Sequence, residues 1–485
     1  MRVLTLTLAT MLAAAGAPVW AERPLADIPQ PSRQRLVVLS DIGADPDDTE
    51  SLVRLMLYSN EIDIEGLIAT TSVWKQTSVS PELIRAVVDQ YAKVQPNLLK
   101  HDSRYPAADA IRALVTQALP KYGMKAVGAG EDSPGSELLI RELKKNDPRP
   151  LWVTAWGGVN TLAQALYKLR ATESQAELAR LVAKLRVNTI SDQDDAGPWI
   201  RKNFPKLFYV VDPGGDYSSS TWIAINSVIP EIDNSKISNA WLSANIQQGH
   251  GPLGAAYPDV SWGMEGDTPS WLNLIPNGLN DPEHPNWGGW GGRFELNTPK
   301  VPIEDPKTFL DGKPITQETR AIWTGAADSY TPAVRPAYGR ATKSGEKSFN
   351  DAKASLWRWR DDFQNDFAAR MEWTTKPYAG ANHSPVVVLD HPAAITIRSG
   401  QPFGLSAGAS TDPDGDSLSF YWFVYPEAGT YRGKIEISGA ENSAGISLTA
   451  PKVTRPETIH YIVRVTDKGT PAISRYKRVI VTVTP

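Results

Sequence analysis

The sequence predicts an α/β domain on a mostly parallel central sheet, followed by a smaller all-β sandwich. Three observations carry this: a strand–helix–strand unit near the start, its repetition over residues 24–378, and a switch to short alternating strands over residues 383–485. The 485 residues are too many for one ordinary domain and suit two or three.

Residues 1–21, MRVLTLTLATMLAAAGAPVWA, combine an early Arg2, an apolar stretch, and Val19 and Ala21 at the small-residue cleavage positions. That is the pattern of an export signal, so a periplasmic or extracellular location is expected. Arg35–Ser40 (RLVVLS) is a short β-branched run ending at Asp41, which reads as a buried strand followed by a loop. Leu52, Val53, Leu55, Met56 and Leu57 then fall at helical spacing, with Asp47 and Asp48 expected as N-cap and first-turn acids. Ile62–Ser72 is a second apolar strand, which completes a βαβ unit with a right-handed crossover.

Helices are expected over Pro81–Tyr91, after Tyr105 and over Asn160–Leu169; strands over Pro150–Trp156, Arg186–Ile190 and Leu207–Val211. Ligands of such sheets bind beyond the carboxyl ends of the strands. This places Asp41–Asp48, Trp156–Asn160 and Ser191–Asp195 on one rim. Gln248–Glu295 is Gly- and Trp-rich, which suggests a lid or binding wall. The last 100 residues or so read as an immunoglobulin-like sandwich without its disulfide, since the chain has no cysteine.

Composition narrows the partners. The formal charge is −4, or −5 (49 basic, 54 acidic residues) once Arg2 is lost with the leader. With no basic run, a nucleic-acid polymer is excluded as the expected partner. No apolar run after the leader reaches the length of a membrane span. A sugar-containing small molecule or a polysaccharide fits better, and homo-oligomerisation is left open. Sixteen Trp and sixteen Tyr serve either large cores or sugar-stacking platforms, and Trp287 and Trp290 are the candidates for the latter.

Four Asp at 41, 45, 47 and 48 exceed what a helix cap needs and would repel one another without a counter-charge. A hard divalent cation such as Ca²⁺ or Mg²⁺, bound by oxygen ligands, is one answer; a cap with a hydrogen-bond network is the other. Asp267 in MEGDTPSWL, near Glu265, is a further candidate ligand or an N-cap. His250 in QGHGPLG could bind a sugar or protonate a leaving group. In the sandwich, DPDGDSLSF, Asp412–Phe420, reads as a turn more safely than as a calcium loop. Tyr421, Trp422, Phe423 and Tyr425 share a strand, so only one of its faces can meet a sugar.

The segment SDIGADPDDTESLVRLMLY resembles the signature of the inosine-uridine nucleoside hydrolases, Asp-x-Asp-Pro-Gly-x-Asp-Asp after the first strand. That resemblance implies a calcium ion that binds ribose hydroxyls and an Asp that activates water. It makes Asp41 and Asp48 metal ligands and Asp47 a sugar ligand. Gly43 stands at the motif's second Asp, and Asp45 at its Gly, so the water-orienting role passes to Asp45 or Asp41. WGGVNTLAQAL resembles the family's Gly-Pro-Leu-Thr-Asn-Leu-Ala segment, which makes the Asn160 carbonyl a metal ligand; a helix N-terminus capped by Asn160 is the other reading. ISDQDDAGPW takes the place of a ribose-binding loop, with Asp192 and Asp194 as substrate ligands; Asp267 takes the place of the last calcium carboxylate.

Over nearly the whole mature chain, EGDTPSWLNLIPNGLNDPEHPNWGGWGGRFE and STDPDGDSLSFYWFVYPEAGTY are similar to a bacterial secreted nucleoside-hydrolase-like family with members labelled cellulose-binding proteins. The expected function is an exported hydrolase acting on an N-ribosyl or related glycosyl bond. A non-catalytic binder of cellulose or other plant cell-wall polysaccharide is the alternative, and an O-glycosidase on such sugars is a third reading.

Overall fold

The computed structural model describes residues 33–213, 217–226, 232–300, 317–334, 342–343, 347–437 and 442–485. The expected export signal lies outside them. Among the described residues no helix is long and apolar enough to cross a membrane.

An eight-stranded sheet organises the first region. Its strands are β1 (Gln34–Ser40), β2 (Ile62–Ala69), β3 (Val115–Gln117), β4 (Leu151–Ala155), β5 (Leu185–Thr189), β6 (Phe208–Val210), β7 (Phe294–Asn297) and β8 (Ile322–Gly325). The spatial order is β3-β2-β1-β4-β5-β6-β8-β7, parallel throughout except for the β7/β8 edge pair. Strand order reverses between β1 and β4, which opens a crevice at their carboxyl ends. The acidic loop leaves β1 and the Trp156–Asn160 loop leaves β4, so the chain delivers both to that crevice.

The strands are continuous apolar runs because both faces are covered. One face carries α1 (Asp47–Leu57), α2 (Pro81–Leu98) and, from far along the chain, α12 (Arg360–Glu372). The other carries α4 (Pro134–Lys144), α5 (Asn160–Thr172), α6 (Gln175–Lys184) and α7 (Ala196–Asn203). Shorter helices fill the connections: α3 (Ala108–Arg112), α8 (Asn239–Leu242), α9 (Gly251–Ala255), α10 (Pro269–Leu272) and α11 (Ala354–Trp357). Two ribbons, β9 (Asp328–Tyr330) with β12 (Phe349–Asp351) and β10 (Ala333–Val334) with β11 (Thr342–Lys343), lie between β8 and α11. α2 continues beyond the expected Tyr91 to Leu98, with Pro96 in its last turn. The missing N–H costs little so near an end.

The last region is all β. A four-stranded sheet, β13 (Ala394–Arg398), β18 (Ser474–Thr484), β17 (Glu457–Thr466) and β15 (Ser419–Val424), faces the pair β14 (Pro402–Ser406) and β16 (Gly445–Thr449). Trp422, Leu405, Ile446 and Val463 fill the sandwich between them. On the opposite face of β15, Phe423 stacks on Tyr421 and lies 6.0 Å from Trp359 of the first region. That side of Phe423 is therefore a packing surface. In the Asp412 turn, Oδ1 accepts from the N–H groups of Asp414 and Asp416, and Asp414 accepts from the His383 N–H and contacts its ring. The segment is a turn that anchors the linker.

The Trp-rich loops differ from the expected binding wall. Trp290 is fully buried, with its ring near Phe363 and Tyr476. Trp287 is half-buried between His284, stacked at 3.9 Å, and His460, edge-on at 5.1 Å. Arg478 of β18 donates to the carbonyls of Leu279 and Gly288, and the Tyr476 N–H donates to the Asn277 carbonyl. Gly278 (φ +86°) permits this approach: a Cβ there would overlap the Tyr476 carbonyl. Both tryptophans are thus corrected from sugar platform to inter-domain packing, because the sandwich docks on their loop.

Candidate functional site

At the carboxyl end of β1 the chain turns through Gly43, whose φ of +89° belongs to the left-handed region. A Cβ at this position would lie 2.8 Å from Leu83 Cδ1 and 3.0 Å from Lys75 Nζ. Lys75 Nζ is fixed by the Ile42 carbonyl and Ser80 Oγ. The left-handed backbone here disfavours the carboxylate that the resembling motif carries as its second Asp. Asp45, half-buried, supplies one from two residues on: Asp45, Asp47 and Asp48 offer oxygens that all lie within 4.8 Å of one another.

Asp47 and Asp48 are first-turn acids of α1 as expected, but the N-cap expectation is corrected. Residue Pro46 occupies the N-cap of α1, and Asp45 Oδ1 accepts the Asp47 N–H at 3.2 Å. Asp48, buried, accepts instead from Ser40 Oγ at 2.5 Å. The proline takes the position ahead of the helix, so the task of receiving its first N–H passes back to Asp45.

Tertiary contacts complete the cluster. Gly157, after β4, faces Asp41, and a Cβ there would sit 2.8 Å from the carboxyl. Asp267, some 220 residues along the chain, arrives on the loop before α10, where a Cβ at Gly266 would be 2.7 Å from Asp47 Oδ2. Asp267 is 3% exposed, and its Oδ2 is buried without a hydrogen-bond partner. Thr268 occupies the α10 N-cap, so Asp267 is not a cap.

The electrostatics follow from crowding. Burial, with the neighbouring carboxylates added, pushes Asp47, Asp48 and Asp267 well above the usual carboxylate range. Asp41 is pushed up to about 6 by burial, against a hydrogen bond from Ser72. Glu50, behind the cluster, is pushed up to about 9 by burial while its Oε2 accepts the Glu265 N–H. Glu265 itself, at φ +48°, is held by Arg54, Tyr257 and Thr268, which fixes the strained turn that presents Asp267. A hard cation fits this set: several carboxylate oxygens, no soft ligand, and one buried oxygen without a partner.

The other expected ligands lie differently. Asp194 accepts the N–H groups of Asn160 and Ala196, the starts of α5 and α7; burial raises it to about 7. Asn160 is buried, its amide donating to Thr71 Oγ1 and the Lys121 carbonyl. These two residues brace the rim. Asp192 is corrected: Arg201 Nη1 and Nη2 engage both its oxygens at 2.7 Å, leaving it an ion-pair partner. His250 is also corrected. It opens α9, and adjoining Gly251 faces Val94, whereas Gly43 faces Leu83 at the other end of α2. Eleven helical residues separate those positions by about 16 Å.

Sequence reasoning missed Ser40, Ser72, Lys75, Tyr217 and Trp222. Tyr217 bonds with Trp74 and Ser191 and feels the charges of Asp41 and Asp47; Trp222 lies 5.1 Å from its ring. The strand-end rule would have found Ser40, which ends β1, and Ser72 and Lys75, which follow β2; Tyr217 and Trp222 come after β6 in a sequence with no periodic signal.

With this geometry in hand, comparison with known proteins gives a family. Residues 35–294 match the model described as cellulose-binding Sde182, nucleoside hydrolase-like domain. The chain belongs to this Sde182 family. Residues 402–483 match the C-terminal domain of cellulose-binding protein Sde0182, so the family architecture extends through the sandwich. A nucleoside hydrolase-related hypothetical protein from Saccharophagus degradans, described as associated with carbohydrate metabolism, is 35% identical. The match covers 93% of this chain and 100% of that one, with a TM-score of 0.76. Type III effector XopQ, complexed with adenosine diphosphate ribose (12% identity, 50% of this chain, 81% of that, TM-score 0.26), and effector protein XOO4466 (11%, 50%, 81%, 0.25) are far more remote. Among proteins with curated descriptions, none matches.

Proposed function

We propose that this Sde182-family protein hydrolyses a glycosyl bond, N-ribosyl or related, at the β1/β4 crevice with the help of a hard divalent cation. The observation that carries the reading is the meeting of Asp41, Asp45, Asp47 and Asp48 with Asp267, whose buried Oδ2 has no partner. Asp48, Asp267 and Asp41 are the residues that would hold the ion, with the Asn160 carbonyl as the resemblance to the nucleoside hydrolases expects. When bound, the ion would balance the carboxylates and bind sugar hydroxyls.

Asp45 would orient the attacking water, since it lies nearest in the chain to the left-handed turn at Gly43, where the resembling motif keeps its base, and is only half-buried. Asp47 would bind a sugar hydroxyl. The clustered negative charge would favour an oxocarbenium-like transition state. Export and a calcium identity belong to the same proposal.

Non-catalytic polysaccharide binding is the second reading. Gly43 favours it, because the resembling motif's own base is absent at that position. Release of free sugar from a panel of nucleosides and aryl glycosides, with calcium or magnesium and after chelation, separates the two. Hydrolysis predicts turnover that chelation abolishes and that Asp45→Asn lowers by roughly 10²–10⁴-fold. A panel left untouched under every condition rejects hydrolysis in favour of binding.

A further inference from the structure

Two tryptophans stand out because they are not packed. Trp262 is 90% exposed and Trp74 is 52% exposed, whereas Trp156, Trp271, Trp290 and Trp422 are fully buried. Single exposed apolar residues need no explanation, but these two stand on loops that lead into the same acidic crevice. Trp74 follows β2, two residues after Ser72 and one before Lys75, the groups that border Asp41 and Gly43. Trp262 lies in the loop that runs into Glu265 and Asp267.

Both rings sit on fixed backbone. The Trp74 N–H donates to Ser72 Oγ, the Val73 N–H to the Gln193 carbonyl and the Lys75 N–H to the Ser72 carbonyl. On the other side, the Val260 N–H donates to Asn239 Oδ1 and the Glu265 N–H to Glu50, which tie down the loop before and after Trp262. Gly263 between them packs on the Asn226 amide so closely that a Cβ would lie 2.5 Å from Nδ2. Backbone held this way need not be ordered again when a ligand covers the rings.

A line of polar and aromatic groups connects the two. Tyr217 bonds with Trp74, lies 5.1 Å from Trp222, and senses Asp41 and Asp47. Trp222 touches the Gly266 position beside Asp47, and the 3₁₀ segment Trp222–Asn226 ends against Gly263. This chain of contacts links Trp74 to the loop that carries Trp262 and runs beside Asp47. Aromatic faces stack on apolar C–H surfaces while carboxylates accept hydrogen bonds from hydroxyls. A β-linked glucan presents both: equatorial hydroxyls at the ring edge and C–H groups on the ring faces.

We propose that Trp74 and Trp262 are the polysaccharide-binding platform of this protein, holding a β-linked glucan chain across the acidic crevice. The saccharide nature of the ligand rests on the preceding reading; the location does not depend on hydrolysis. It replaces Trp290, which is fully buried, and Trp287, which is half-buried against His284 and the sandwich.

Depletion isotherms of the full chain on insoluble cellulose, with xylan and starch for comparison, test this. Trp74→Ala and Trp262→Ala should each weaken retention on cellulose roughly tenfold, the worth of one stacked ring, and the double variant should abolish it. Trp74→Tyr and Trp262→Tyr should restore part of it. The variants' melting temperature, and its rise on adding calcium, should match wild type, since the rings are exposed. A properly folded double variant with the wild-type isotherm overturns the platform, as does a wild type retained by none of the three polymers or more tightly by starch than by cellulose. If Asp48→Asn and chelation leave retention intact while nothing in the glycoside panel is hydrolysed, the hydrolytic reading fails and the platform stands.

Discussion

Asp48→Asn separates an ion site from a structural carboxylate through the sign of its effect. Two unit charges 4.8 Å apart, the outer limit among the Asp45, Asp47 and Asp48 oxygens, repel by about 3.5 kcal/mol at an effective dielectric of 20. Neutralising Asp48 removes two such pairs, at least about 7 kcal/mol at that dielectric if all three were ionised. Without a cation they are not all ionised, because burial and mutual repulsion hold Asp47 and Asp48 protonated far above the usual range. The folded state then binds more protons than the unfolded chain. Its stability is full below the ordinary carboxylate pKa and falls as pH rises toward the raised folded value.

In chelator, therefore, Asp48→Asn should be at least as stable as wild type, with an advantage that grows from pH 6 to pH 8.5. Asparagine keeps an oxygen for Ser40 Oγ, so that hydrogen bond survives. With calcium at roughly 100 times its dissociation constant, wild type should gain about 2.7 kcal/mol and the variant much less, which reverses the order. Melting temperatures of both proteins in chelator and in calcium, across that pH range, decide the matter. Equal loss of stability by Asp48→Asn in both media, or a wild type indifferent to the cation, would refute the reasoning.

Two further outcomes follow from the inter-domain contacts. Trp290→Ala should cost about 3–5 kcal/mol, the usual range for emptying a buried Trp site, and urea unfolding will measure it. Retention of the folded variant on cellulose should stay at the wild-type level, since Trp290 is fully buried. His460, whose Nδ1 accepts from Arg478 at 3.1 Å, is pushed down to about 3 by burial and then by Arg478. The unfolded chain takes up a proton near the ordinary 6.5, so the stability is full above that value and is lost as pH falls from 6.5 toward 3. Between pH 7.5 and pH 4.5, His460→Gln should remove about 2–3 kcal/mol of acid sensitivity in urea unfolding, and an unchanged pH slope would contradict the neutral assignment.

The local signals determined much of this protein. Apolar runs such as Leu36–Leu39 cannot avoid burial, and the helical spacing from Leu52 to Leu57 covers one face of the sheet, so the βαβ start and the parallel sheet were legible. The strand-end rule also placed Asp41–Asp48 and Trp156–Asn160 on one rim. Partner choice was not legible, because it depends on groups distant in the chain. Asp192 looks as available as Asp267 in sequence; only the fold gives the first to Arg201 and leaves the second with a bare Oδ2. Trp287 and Trp262 are likewise equal as letters. Docking of the sandwich half-buries one and leaves the other in solvent, since burial is a property of what packs against a side chain and not of the side chain itself.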